Sequence, residues 1–242
     1  NKKEIHMTNG AQWYSWLIHD YWFNELPASL QNSLLEGMRQ RRVTPGRLIF
    51  EQGEPACGFY ALLSGSIRFN DVRDQQEWLP PAPLRRPYWF GEVSLFDDRP
   101  RRHDVYAEDH VILLQMPQRL LDEQLEDHPR HWRPFRKLLE QKLGVAVPPV
   151  EEVILLPTNE RVAFRLLLLA EGYGPMDRSP RIFPESDVMS TRGLGLTADV
   201  VERVLGEFAR RGIIERGDGF ISVFDVERLR KAAWHRLTES TL

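Results

Sequence analysis

The stretch Thr197-Ala198-Asp199-Val200-Val201-Glu202-Arg203-Val204-Leu205-Gly206-Glu207-Phe208-Ala209-Arg210-Arg211-Gly212 decides the architecture of the C-terminal part of the chain. Val201, Val204, Leu205 and Phe208 recur at helical spacing, so they form one apolar face. Thr197 is a helix-capping residue type, and Gly212 stands where a C′ glycine closes a helix. Directly after it, Ile213-Ile214-Glu215 and Phe220-Ile221-Ser222-Val223 flank Arg216-Gly217-Asp218-Gly219, a short hairpin signal. Upstream, Pro184 to Arg192 reads as a preceding helix, joined through Gly193-Leu194-Gly195-Leu196. Two helices with a glycine-containing turn, followed at once by a hairpin, have the order of a winged helix-turn-helix.

In such a unit the first helix and the core hold the second so that its leading residues enter the major groove of double-stranded DNA. Ala198, Asp199, Glu202 and Arg203 are the residues left to face outward. Arg203 is the candidate for base readout, because a guanidinium matches the O6 and N7 edge of guanine. Asp199 either accepts from a cytosine amino group or orients Arg203 from one turn before. Thr197, Arg192, Arg210, Arg211 and the wing's Arg216 are candidates for phosphate contact. The competing reading leaves these arginines on a solvated helix face.

Moving toward the N-terminus, Thr158-Asn159 caps a helix from Glu160 to Glu171, and Gly172 to Pro184 reads as a linker-like loop. His131 to Val145 forms a helix with Trp132, Phe135, Leu138, Leu139 and Leu143 as its stripe. Pro148-Pro149 interrupts it, and Val150 to Leu156 restarts it. The stripe is larger than one small domain needs, so the segment from 131 to 156 is expected to pair two chains about a twofold axis. The proline pair is expected to kink that segment and set the spacing of the reading helices.

Between Val43 and Met116 the texture is short β-rich runs: Leu48-Ile49-Phe50, Phe59 to Leu63, Ile67-Arg68-Phe69 and Val111 to Met116. Turn signals at Pro45-Gly46, Gly53-Glu54-Pro55 and Ser64-Gly65-Ser66 separate them, the pattern of a small barrel or roll. The proline-rich loop from Pro80 to Pro87 is expected to be irregular. Helices are expected after Pro27, through Leu30, Leu34, Leu35 and Met38, and from Pro117 to Leu125. A last helix is expected from Asp225 or Val226 to about Leu237. The fold class is therefore α+β. A β-roll domain covers 13–130, a long dimerisation helix 131–156 and a winged helix-turn-helix domain 157–242.

The ordered set of parts resembles the CRP/FNR family of transcription regulators, of the catabolite-activator type, over nearly everything from Trp22 to Val223. The most specific match is Phe90-Gly91-Glu92-Val93-Ser94-Leu95-Phe96 through Pro100-Arg101, similar to the family's phosphate-binding cassette, F-G-E-x-x-L followed by P-R. Gln52-Gly53-Glu54 and Gly65 look like the family's strand turns, and Thr197, Asp199 and Arg203 like its S-R-E-x-x-x-R. The resemblance implies a cyclic-nucleotide-binding-like jelly roll, a homodimer, and contact with DNA and RNA polymerase. It also implies an effector pocket in which Glu92 takes a ribose hydroxyl, Arg101 pairs with phosphate oxygens, and Gly91 and Ser94 belong to the cradle.

The chain departs from that pattern. Arg102 and His103 stand where small residues are usual, Pro87 replaces a common glycine, and Ala146 and Val147 replace hydroxyl contacts. Asp104 is placed to neutralise an arginine internally. The expectation is a different small anionic effector, or a pocket kept as a remnant by its own Arg–Asp contacts, with cAMP behind both. Ala198 replaces the family's first reading arginine, and the turn between the two helices is about two residues longer than usual in a helix-turn-helix, so no operator sequence is transferred.

Composition bounds these readings. The chain has 242 residues and a net charge of −3, and from Pro157 onward it carries 13 Lys+Arg against 13 Asp+Glu. Overall charge therefore does not advertise nucleic-acid binding, which must rest on local chemistry. The single cysteine, Cys57, excludes a disulfide framework or a cysteine-held metal cluster within one chain and suits a reducing cytoplasm. The longest apolar run, Leu166 to Ala170, is too short for a membrane span, and no secretory-type run precedes Trp13. Residues Asn1 to His6, ahead of Met7, are left out of the fold reading. With no nucleophile–base pair, metal spacing or nucleotide loop, an enzyme is not expected. The main alternative is a sensor or adaptor of the same fold without DNA readout.

Overall fold

Side-chain alternation along one buried strand organises the N-terminal half. The computed structural model describes residues 9–69, 86–97, 100–101, 104–171, 181–190 and 194–234. Described residues up to Leu138 form one compact unit and those from Leu139 a second, a division that falls inside one helix.

In the first unit, short helices α1 (Tyr14–Leu17) and α2 (Tyr21–Asn24) and the longer α3 (Ala28–Gly37) precede the strands. The strands are β1 (Arg39–Val43), β2 (Leu48–Phe50), β3 (Gly58–Ser64), β4 (Ile67–Phe69), β5 (Tyr88–Phe90), β6 (Val105–Ala107) and β7 (Val111–Pro117), with a one-turn helix α4 (Ser94–Asp97) between β5 and β6. Helices α5 (Gln118–Asp127) and α6 (Trp132–Leu143) follow. Antiparallel pairing gives two sheets, ordered β1-β7-β3-β5 and β2-β6-β4.

Successive residues of β3 point to opposite faces. Phe59, Ala61 and Leu63 join Trp22, Phe23, Leu34 and Phe135 in a helix-covered cluster, whereas Tyr60 and Leu62 join Phe50, Phe90, Val105 and Leu113 inside the roll. With both faces buried, β3 reads as a continuous apolar run. Gly58 sits in this strand with φ +144, where a Cβ would lie 2.2 Å from the Met116 carbonyl oxygen. Behind the roll, buried His131 accepts from the Gln124 amide at Nδ1 (2.8 Å) and meets the Ser29 hydroxyl at Nε2 (3.1 Å). Burial, together with the neighbouring His128 and Arg130, holds its imidazole below the ordinary range.

The second unit contains a 3-10 turn at Val150–Leu155, helix α7 (Thr158–Glu171), strand β8 (Arg181–Pro184), helices α8 (Glu185–Met189) and α9 (Ala198–Arg210), strands β9 (Glu215–Gly217) and β10 (Phe220–Val223), and helix α10 (Val226–Trp234). Its sheet order is β8-β10-β9. Asp218 (φ 54) and Gly219 (φ 78) make the wing a two-residue turn with both central residues left-handed, the twist that antiparallel strands accept best.

Several expectations change. The segment from 131 to 156 is not one long helix: α6 ends at Leu143, and Gly144 follows with φ +70. The interruption thus begins at a glycine ahead of Pro148-Pro149, and the residues after the prolines form a 3-10 turn instead of a restarted α-helix. The α6 stripe is consumed within the chain, since Phe135, Leu138, Leu139 and Leu143 are all buried. Strands β1, β5, β6 and β8 are additions, and β8 occupies the end of the expected linker. The first helix of the reading pair is Glu185–Met189, shorter than the span to Arg192. The core of the proline-rich loop (80–85), the loop at 172–180, Arg192-Gly193 and Leu237 lie outside the described residues. No helix among the described residues is long and apolar enough to cross a membrane.

Candidate functional site

Two places bring the singled-out residues together. In the roll, the turn from β5 into α4 carries Gly91, Glu92 and Ser94. Gly91 has φ +97, and a Cβ there would lie 2.8 Å from the Gly58 carbonyl oxygen and 3.4 Å from Arg101 Nη2. Only glycine lets the turn approach so closely. Glu92 is fully buried.

Arg101 is 7% exposed. Its Nη2 donates to the Gly58 carbonyl (2.6 Å) and Nη1 to the Ser94 hydroxyl (3.1 Å), and the guanidinium carbon lies 4.5 Å from the Phe50 ring centroid. Its Nε has no hydrogen-bond partner, and Arg101 makes no ion pair among the described residues. The expected neutralisation of Arg101 by Asp104 is not formed. Asp104 accepts from the Gln52 backbone N–H (2.8 Å) and the Tyr106 hydroxyl (3.2 Å) instead. Neutral acceptors and ring faces surround the Arg101 guanidinium, and a buried charge without an ion pair is costly in a low-dielectric interior. Arg102 and His103 lie outside the described residues.

Sequence reasoning missed two neighbours of Arg101. The Cys57 thiol lies 3.9 Å from Nη2 and 3.0 Å from the Tyr60 hydroxyl, and burial with that thiol contact pushes the Tyr60 phenol upward. Cys57 carries no local signal in sequence, because Tyr60 and Arg101 reach it only through the folded roll.

In the C-terminal unit, α9 presents the face read from its spacing. Val201, Val204, Leu205 and Phe208 are buried, whereas Thr197, Ala198, Asp199, Glu202 and Arg203 are exposed. Burying a side chain such as Phe208 contributes roughly 1.5–3 kcal/mol, which fixes the rotation of the helix. Thr197 holds the N-cap position with extended backbone, yet its hydroxyl makes no capping bond. Arg203 makes no hydrogen bond or ion pair among the described residues, so Asp199 does not orient it.

Arg216 behaves differently. Its Nη1 and Nη2 reach Glu202 Oε1 and Oε2, each at 2.8 Å, and it also pairs with Glu185 at the start of α8. The wing is thereby braced to both helices of the reading pair, and Arg216 is not a free phosphate donor. Hydrogen bonds from Arg216 hold the Glu202 carboxyl below its usual range, and those to Glu202 and then Glu185 raise the Arg216 guanidinium.

The model of the cyclic nucleotide-binding domain matches residues 40–128 of this chain, the span that holds the roll and Arg101. The chain is 25% identical over 197 residues to a CRP-like cAMP-activated global transcriptional regulator of Mycobacterium tuberculosis, covering 78% of this chain and 85% of that protein. It is 28% identical over 199 residues to the cyclic AMP receptor protein of Thermus thermophilus, covering 81% and 88%. Residues 40–128 thus match a cyclic nucleotide-binding domain, and over most of its length the chain is similar to transcription regulators of the CRP/FNR type.

Among solved structures, the Thermus thermophilus catabolite activator protein aligns at 27% identity over 90% of this chain and 97% of that one, with a TM-score of 0.41. The chain has an arginine buried inside its roll and another on the solvent face of α9. It has Ala198 at the position of the family's first reading arginine and Glu202 locked to the wing.

Proposed function

We propose that this protein is a dimeric, DNA-binding transcription regulator controlled by a small anionic effector. The observation that carries the DNA reading is the leading turn of α9. Thr197, Ala198, Asp199 and Arg203 face solvent beside a braced wing, and Arg203 holds no partner among the described residues. An exposed, uncommitted guanidinium at the front of such a helix suits a bidentate contact to guanine. Arg203→Ala is expected to weaken a selected duplex by roughly 1–3 kcal/mol, about 5- to 150-fold in Kd, and to relax specificity at one base pair per half-site. Unchanged affinity and specificity in an anisotropy titration would remove Arg203 from readout.

The effector reading rests on Arg101, a buried cation that makes no ion pair among the described residues. A small anion seated against it supplies the missing charge, and the bulk of Arg102 and His103 argues against cAMP as that anion. Phosphomonoester metabolites are expected to raise the melting temperature of the wild type more than that of Arg101→Met. A clear shift with micromolar cAMP would contradict that ranking.

Pairing of two chains is proposed through the segment 131–156, whose free apolar side chains are Ile154 and Leu155, 53% and 76% exposed. Contact with RNA polymerase follows from the family reading. A second reading, an adaptor that has lost DNA readout, draws on Ala198 and on the carboxylates of Asp199 and Glu202 along the reading face. It predicts no salt-dependent shift of genomic fragments.

A further inference from the structure

We propose that the C-terminal unit carries its own binding site for a small diphosphate-bearing molecule, in a cleft between the first turn of α7, the end of α9 and α10. The cleft encloses about 690 Å³, within the roughly 300–1,000 Å³ usual for small-ligand sites. Arg211, Arg228 and Lys231 line it, against one acid, Glu160, which is 6% exposed. Three cations from two helix ends thus converge on one concavity.

None of the three is firmly committed. Lys231 is exposed and makes no hydrogen bond or ion pair among the described residues. Arg211 meets Glu207 at 3.3 Å and Arg228 meets Asp225 at 3.5 Å, in pairs whose side chains are 36–58% exposed, and Arg228 Nη1 also donates to the Gly212 carbonyl at 3.3 Å. Exposed pairs of that kind are weak and yield readily to a better anion.

The wall facing these cations is the first turn of α7. Arg161 N–H donates to the Pro157 carbonyl (3.0 Å), which places the N–H groups of Thr158 and Asn159 at the open start of the helix. Thr158 and Asn159 also line the cleft. Backbone donors at a helix start, opposed by guanidinium and ammonium groups, suit phosphate oxygens, and two phosphates match the surplus of cations. Arg211 follows the last residue of the 13-residue α9, about 20 Å along the axis from Ala198, so the cleft is distinct from the reading turn.

The test is calorimetric titration of the full chain with inorganic pyrophosphate at constant ionic strength. Saturable one-site binding is expected. It should weaken about tenfold or more in the double variant Arg228→Ala/Lys231→Ala. It should persist in Arg101→Met, and in Arg42→Ala/Arg119→Ala, which removes equal charge elsewhere. Absence of saturable binding, survival of full affinity in the cleft variant, or loss in Arg101→Met or in the charge control would each overturn the proposal. If the cleft variant instead loses duplex affinity with a shallower salt slope while wild type ignores pyrophosphate, the cleft is a nucleic-acid backbone contact and the proposal fails.

Discussion

The roll and the wing each place an arginine at the centre of their chemistry, and the two are satisfied in opposite ways. Arg101 is buried and met by a backbone carbonyl, a serine hydroxyl and aromatic faces. Arg216 is only partly buried and is met by two carboxylates. One makes no ion pair among the described residues, and the other commits its donors to holding the wing to the helices. The contrast sets the sensing role proposed for Arg101 against the positioning role of Arg216, and each expected outcome tests one side of it.

The largest effect concerns the seat of Arg101. Gly91→Ala forces a Cβ toward the Gly58 carbonyl at a left-handed φ and is expected to cost about 2–3 kcal/mol in urea denaturation. Gly217→Ala in the wing, with nothing within 4 Å of its Cβ position, should stay within about 0.5 kcal/mol. Equal losses at both glycines would mean that the roll does not hold Arg101 rigidly.

Next come the arginines themselves. Arg216→Ala leaves Glu185 and Glu202 facing each other and is expected to cost about 1–2 kcal/mol. Arg101→Met, in the absence of ligand, should fall within about 1 kcal/mol of wild type, because removing an uncompensated buried charge offsets the lost hydrogen bonds. The acid response should separate them further. Glu202 is held below its ordinary value of 4.5, so its contribution is complete above that pH and disappears as pH falls through the lower folded value. Thermal melts from pH 6 to pH 3 should show that loss in wild type and a smaller one in Arg216→Ala.

The smallest effect lies behind the roll. His131 is held below its ordinary 6.5, so the unfolded chain takes up protons first and stability declines as pH drops from that value toward the folded one. The decline should be under about 1 kcal/mol and should flatten in His131→Gln. A decline unchanged in the variant would assign it to another group.

Much of this was legible in the sequence because local periodicity and turn chemistry carried it. The buried face of α9 and the apolar runs of β3 and β7 appear where spacing places them, whereas the wing's first strand is Glu215–Gly217 and not Ile213 to Glu215, which shortens the turn to Asp218-Gly219. Strand β1 was not legible: Arg39-Gln40-Arg41-Arg42-Val43 is a charged edge strand held by backbone pairing to β7, and its pattern gives no apolar alternation. The early end of α6 was hidden because Gly144 was overshadowed by the proline pair, although a left-handed glycine suffices to stop a helix. At the candidate sites, residue identities were legible and partners were not. Glu185 reaches Arg216 across 31 positions, and Asp104 turns to Gln52 and Tyr106 and not to Arg101.

The central claim is that the exposed front of α9 reads DNA, and repeated selection from random duplexes, followed by affinity measured across a salt series, tests it most directly. The account predicts enrichment of a two-fold symmetric sequence whose log affinity falls linearly with log salt. A pool that stays random, with binding indifferent to salt, would contradict it.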